Sequence, residues 1–163
     1  MSYFIIIRGP LGCGKTTISK KLSTKLNAHY VSADEVLEKN DLLKDFEEGY
    51  ISQKNFILAN EIISKEVLAM LKQEVVVVID ENFYWKSQLE DLKRRLKCKG
   101  FVFSLKAPLD VCIDRDKKRE NPHGEFAARE VYEKVSEFDI GEVIDVTKSL
   151  DNVLEDIERY VVL

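Results

Sequence analysis

Apolar residues in this chain follow two alternating periods from one end to the other. Met1 to Arg8 and Glu74 to Asp80 are continuous runs of β-branched and aromatic residues, the make-up of strands buried on both faces of a parallel sheet. Ala28 to Val31, Phe101 to Leu105 and Gly141 to Thr147 read as three further, shorter strands. Between them the period lengthens to that of a helix. Ile18, Leu22 and Leu26 stripe Lys15 to Leu26, which stops at Asn27, and Phe56, Ala59, Ile63, Val67, Met70 and Leu71 stripe Ser52 to about Lys72. Ser87-Gln88-Leu89-Glu90 is a capping box ahead of Leu92 and Leu96, in a helix stopping at Gly100. Ala107-Pro108 opens a helix with Leu109, Cys112 and Ile113 inward, Asn121 to Gly124 breaks it, and Glu125 to Phe138 resumes one. Ser149 caps a last helix bearing Leu150, Val153, Leu154 and Ile157. Asn40 to Tyr50 reads as irregular or weakly helical, closing at Gly49. Strands alternating with helices predict an α/β fold, a five-stranded parallel sheet with helices on both faces.

The 163 residues suit a single domain, and 45% hydrophobic with 33% charged residues describes a soluble globular chain. No apolar run approaches the roughly 20 residues of a membrane span, and a glycine-rich loop opens by Gly9, which leaves no room for a signal peptide. The expectation is a cytoplasmic protein with no membrane partner. Cys13, Cys98 and Cys112 lack C-x-x-C spacing, which excludes a zinc site or disulfide framework. A net charge of −4 argues against general nucleic-acid binding and leaves open an RNA or DNA end as a ligand.

Chemistry enters at Gly9-Pro10-Leu11-Gly12-Cys13-Gly14-Lys15-Thr16, with Thr17 behind it, which satisfies the phosphate-loop (Walker A) pattern G-x-x-x-x-G-K-[ST] between a strand and a helix. Glycines allow backbone N–H groups, that of Cys13 included, to converge on phosphate oxygens, and the following helix adds its positive end. Lys15 then reaches the β- and γ-phosphates of ATP and the Thr16 hydroxyl coordinates Mg²⁺. Asp80 ends the valine-rich strand where a carboxylate meets that metal. Asp34 follows the second strand at the carboxyl edge, where it is placed to accept a proton from an attacking hydroxyl; equally, Ser32 or Asp34 caps the helix through Val36 and Leu37. Glu81 to Trp85 leave the sheet on the crevice side, with Phe83 read as packing and Tyr84 and Trp85 left open. Asn55 and Asn60 read as solvated helix residues, and His123 as a surface residue. Arg115 and Arg119, four apart on one helical stripe, aim at the same place, and the two helices around the break, about residues 115–128, form a small lid.

On these residues the chain resembles small P-loop kinases that phosphorylate hydroxyl groups, along its whole length. It is similar to polynucleotide 5′-hydroxyl kinases, with Asp34 as their acidic base and Asp80-Glu81-Asn82 as their D-x-N sequence. Ile79 to Ser87 looks like the D-D-N-F-Y-x-x-S stretch of the kinase that phosphorylates seryl-tRNA, with Glu81 in place of the second Asp. The resemblance implies a P-loop NTPase three-layer sandwich with strand order 2-3-1-4-5. It implies Gly9, Gly12, Gly14, Lys15, Thr16 and Thr17 at ATP and Mg²⁺, Asp34 as general base, Asp80 near the metal, and Arg115 or Arg119 as the lid arginine.

Three functions are compatible with this set. The first is a kinase moving the γ-phosphate of Mg-ATP to a hydroxyl of a small molecule, nucleoside or nucleic-acid end. A hydrolytic ATPase using Asp80 and Glu81 is the second, and a nucleotide-binding regulatory module without turnover the third. The insert of about residues 34–72, on the acceptor side, contains no arginine, which points to an uncharged hydroxyl acceptor rather than a phosphorylated one.

Overall fold

The computed structural model describes residues 1–161. Its elements run β1 (Phe4–Arg8), α1 (Lys15–Leu26), β2 (His29–Ser32), α2 (Ala33–Lys39), β3 (Phe46–Glu47), β4 (Tyr50–Ile51), α3 (Gln53–Lys72) and β5 (Val77–Asp80). Then follow α4 (Lys86–Leu96), β6 (Gly100–Lys106), α5 (Leu109–Lys117), α6 (Glu125–Val135), β7 (Glu142–Asp145) and α7 (Leu150–Val161).

Alternate side chains of the two apolar runs enter different cores, which is why those runs are continuous. Phe4, Ile6, Val77 and Ile79 pack with α2, α3 and α4 through Leu37, Phe56, Ile63 and Leu92. Ile5, Ile7 and Val78 pack on the other face with Leu22, Cys112, Val153 and Ile157 of α1, α5 and α7. The sheet order is β2-β5-β1-β6-β7, all parallel. With the hairpin β3–β4 set aside, this is the expected 2-3-1-4-5. The register places Asp80 beside both Ile7 and Ser32, so the carboxyl ends of β1, β2 and β5 finish level. Everything that leaves those ends, the glycine loop, the start of α2 and the Glu81–Trp85 loop, therefore emerges along one crevice.

Several local expectations change. Asn40 to Tyr50 is not helical: it holds an antiparallel hairpin, Phe46 opposite Ile51, turning at Glu48-Gly49. Ser87 lies inside α4, whose N-cap is Trp85; no side chain caps the helix, and only the reciprocal half of a box forms, Gln88 Oε1 accepting the Trp85 N–H at 3.4 Å. Gly100 does not stop that helix, which ends at Leu96, but begins β6, where a Cβ would lie 2.0 Å from the Phe4 ring. Asn55 and Asn60 are buried rather than solvated, donating to the carbonyls of Leu42 and Gln88. α5 ends at Lys117, so Arg119 sits in the following turn and not on a helical stripe with Arg115.

Candidate active site

The loop from Gly9 to Gly14 has a shape that its glycines permit and other residues do not. Gly12 has φ +77°, and a Cβ there would come within 2.1 Å of the Cys112 carbonyl oxygen, so the loop lies directly on α5. Gly14, at φ 86°, precedes α1, and no side chain caps that helix, which leaves its first-turn N–H groups open toward the crevice. Thr16 and Thr17 are exposed on that turn. Cys13 is the exception among the predicted nucleotide contacts. Its side chain is buried in the core, its main-chain N–H donates to the Pro10 carbonyl at 3.4 Å, and its carbonyl accepts from Arg115 at 3.5 Å.

Lys15 crosses the crevice to Asp80, Nζ to Oδ1 3.4 Å. Burial opposes the lysine charge, but the carboxylates of Asp80 and Asp34 outweigh it and raise its pKa above the ordinary lysine value. The second Asp80 oxygen accepts a hydrogen bond from Tyr30 Oη at 2.8 Å, a contact that no motif announces, because Tyr30 comes from β2 two strands away from the loop. Ser32, not Asp34, caps α2, its Oγ accepting the Glu35 N–H. Asp34 is therefore free: its carboxylate has no hydrogen bond or ion pair among the described residues. Desolvation raises its pKa; Lys15 and His123 pull it back and Asp80 adds to the rise. Asp34 is exposed in the first turn of α2, and a carboxylate there without a partner is open to take a proton from a bound hydroxyl.

Glu81 has the opposite environment. It is 1% exposed, its Oε1 accepts from Gln88 Nε2 at 2.6 Å and its Oε2 has no partner. Burial, with smaller contributions from Asp34 and Asp80, pushes its pKa up to about 8. Arg8, also 1% exposed, donates to Ser104 Oγ at 3.1 Å, to the Phe138 carbonyl at 2.7 Å and to the Val135 carbonyl at 2.8 Å. It thereby ties the end of α6 to the strand that carries the glycine loop.

A cavity of about 460 Å³ opens beside the loop, lined by Gly12 to Ile18, by Arg115 and Arg119, and by Val146, Lys148, Leu150 and Val153. Both arginines thus meet at one place although only one is helical. Arg115 donates to the Val146 carbonyl at 2.7 Å and, at 3.5 Å, to that of Cys13, strapping the loop to the end of β7. The Arg119 side chain has no hydrogen bond or ion pair among the described residues; its main-chain N–H donates to the Asp116 carbonyl at 3.1 Å. The β7–α7 residues of this cavity went unpredicted, since they carry no motif and reach the loop only through sheet order.

For Mg²⁺, the residues present fit. Thr16, exposed on the first turn of α1, and Asp80, at the end of β5, are hard oxygen donors, and no group of three His, Cys, Asp or Glu capable of holding a metal occurs among the described residues. That sparse set matches an ion that keeps most of its ligands as water and phosphate oxygens.

Sheet order, glycine loop and Lys15–Asp80 pair together define a nucleotide-binding α/β domain of the P-loop kinase type. The family model described as an AAA domain matches residues 5–137, and the chain belongs to that family. It is similar to shikimate kinase 1 of Escherichia coli (strain K12 / DH10B), 28% identical over 144 residues that cover 81% of this chain and 76% of that one. Among solved structures, a sugar kinase from Janibacter sp. HTCC2649 superposes with a TM-score of 0.81 at 15% identity, covering 99% and 95% of the two chains. A gluconokinase from Sinorhizobium meliloti 1021 does so with a TM-score of 0.73 at 12% identity, covering 95% and 88%. These matches support the small P-loop kinases as a group and not the polynucleotide kinase branch in particular. No helix among the described residues is long and apolar enough to cross a membrane.

Proposed function

We propose that the protein is a kinase that transfers the γ-phosphoryl group of Mg-ATP to a hydroxyl of a small molecule. The observation that carries this reading is Asp34: an exposed carboxylate without a protein partner in the first turn of α2, at the carboxyl edge of the sheet where Asp80 and the glycine loop also emerge. The cavity of about 460 Å³ suits a nucleoside, with Val146, Leu150 and Val153 as its apolar wall and the loop N–H groups toward the phosphates. Lys15 exchanges Asp80 for phosphate oxygens when ATP enters. Thr16 and Asp80 would hold Mg²⁺, which when bound neutralises phosphate charge. Arg119 is free to reach the migrating phosphoryl, while Arg115 keeps loop and β7 in register. Asp34 accepts the hydroxyl proton as oxygen attacks phosphorus. A cytoplasmic setting goes with this reading.

The relatives named as shikimate kinase and gluconokinase support a small-molecule acceptor. A nucleic-acid end rests only on the likeness of Asp34 and the Ile79–Ser87 stretch, and the arginine-free insert favours an uncharged hydroxyl. The ATPase alternative needs Glu81 to polarise water, and a sealed carboxyl with a pKa near 8 is ill suited to it. The test is ADP release from Mg-ATP with and without a panel of polyols, amino sugars, hydroxy acids, nucleosides and 5′-hydroxyl oligonucleotides. Release stimulated by one acceptor class supports the kinase. Acceptor-independent release at full rate supports the ATPase, and nucleotide binding without release supports a regulatory module.

A further inference from the structure

Each oxygen of the Asp80 carboxylate has a partner of its own. Lys15 Nζ stands 3.4 Å from Oδ1, and Tyr30 Oη donates to Oδ2 at 2.8 Å, in a side chain that is 5% exposed. The sheet builds the second contact. Tyr30 is level with Val78 and Ser32 with Asp80, so Tyr30 and Asp80 share one face of neighbouring parallel strands, two positions apart, and the phenol leans along the strand direction to reach the carboxylate. The Tyr30 ring also meets α1, with Lys20 Nζ 5.7 Å from its centroid. Lys20 lies one turn on from Thr16 on the same side of that helix. Tyr30 therefore stands where β2, β5 and α1 come together, and α1 and β5 carry the two oxygen donors, Thr16 and Asp80. The two partners of Asp80 differ in one respect. Lys15 turns to phosphate oxygens when a nucleotide enters, whereas nothing in a nucleotide competes for the Tyr30 hydroxyl.

We propose that Tyr30 is a positioning residue that makes the cation site selective for Mg²⁺ over Ca²⁺: by occupying Oδ2 of Asp80, it leaves Oδ1 as the one carboxylate oxygen on offer. The inference rests on the kinase reading, and only on its nucleotide and metal site. Mg²⁺ takes six ligands in near-octahedral array, keeps several waters, and is served by a single carboxylate oxygen beside phosphate. Ca²⁺ is larger, accepts six to eight oxygens and gains from a carboxylate that grips with both. To be gripped in that way here, it would have to share Oδ2 with the phenol proton. Tyr30 also fixes the rotation of the carboxylate once Lys15 has left Oδ1, the service that groups behind a metal ligand commonly supply.

Tyr30→Phe keeps the ring against Lys20 and removes only the hydroxyl. The probe is a fluorescent ATP analogue, titrated in EDTA, in excess Mg²⁺ and in excess Ca²⁺, with no acceptor and no turnover. Wild type is expected to bind the Mg²⁺ complex at least about 10-fold more tightly than the Ca²⁺ complex, and Tyr30→Phe to lose about 10-fold or more of that preference, with affinity in EDTA within about twofold of wild type. In an Asp80→Asn background, removing the Tyr30 hydroxyl should no longer alter the ratio, since Tyr30 acts through Asp80. Equal binding of the two complexes by wild type overturns the proposal without any variant. So does an unchanged ratio in Tyr30→Phe, a loss in EDTA as large as the loss in Mg²⁺, which marks a merely structural role, or the same shift of the ratio in Asp80→Asn. These outcomes leave the kinase reading standing. Wild type that gains no affinity from either cation contradicts that reading, and the role of Tyr30 with it.

Discussion

Replacing Glu81 by Gln tests the claim that this carboxyl is a sealed structural group. Gln keeps an oxygen for the Gln88 amide, so packing is preserved while the titration is removed. In the native chain the Glu81 pKa stands at about 8 against 4.5 ordinarily, so below pH 4.5 both folded and unfolded states hold the proton. Between those values the unfolded state releases it and the folded state keeps it. The folded state then binds more protons, and stability falls as pH rises through that window. At about 1.4 kcal/mol per unit, the full shift corresponds to about 5 kcal/mol as a ceiling. That is a large share of a stability of about 5–15 kcal/mol. Urea unfolding at pH 5, 6, 7 and 8 should show the stability of Glu81→Gln rising relative to wild type by several kcal/mol across the series. Parallel curves for the two proteins would refute the buried-carboxyl reasoning and restore Glu81 as a candidate base.

Gly12→Ala should lower the melting temperature and weaken ATP binding at least about 10-fold, because αL backbone costs an alanine about 1–2 kcal/mol and the new Cβ meets the Cys112 carbonyl; unchanged calorimetric affinity would contradict the loop geometry. The two arginines should divide. Arg115→Ala frees the Val146 carbonyl and should destabilise by about 1–3 kcal/mol while raising the KM for ATP. Arg119→Ala should leave stability within about 0.5 kcal/mol and lower kcat by about 10³-fold or more. Melting curves and steady-state kinetics on both check this, and like behaviour of the two would refute it.

How far the fold could be read in advance follows from how local each signal is. The loop was legible because a tight phosphate cradle makes demands on consecutive residues, and Gly12 and Gly14 meet them with positive φ. The strand ending at Asp80 was legible because burial on both faces removes the polar alternation. Two-residue strands such as β3 and β4 are too short for any period to show, and the hairpin was missed for that reason. Boundaries slipped where a residue offered a cap that it does not make, as Ser87 did at α4. At the candidate site, Lys15, Asp34 and Asp80 were proposed from position after a strand or loop, and Arg115 and Arg119 from a helical spacing that the turn after α5 does not keep. Tyr30, Arg8 and the Val146–Val153 wall were not, since each matters through a neighbour distant in sequence. His123, read as a surface residue, is exposed and rests on the buried carboxylate of Asp116.

The most direct test of the account follows the label from [γ-³²P]ATP with wild type and Asp34→Asn in the presence of the acceptor that stimulates ADP release. The kinase reading predicts label on the acceptor hydroxyl in wild type. In Asp34→Asn it predicts a transfer rate lower by about 10²–10⁴-fold at unchanged ATP affinity. Label recovered only as inorganic phosphate, or transfer by Asp34→Asn at the wild-type rate, would contradict it.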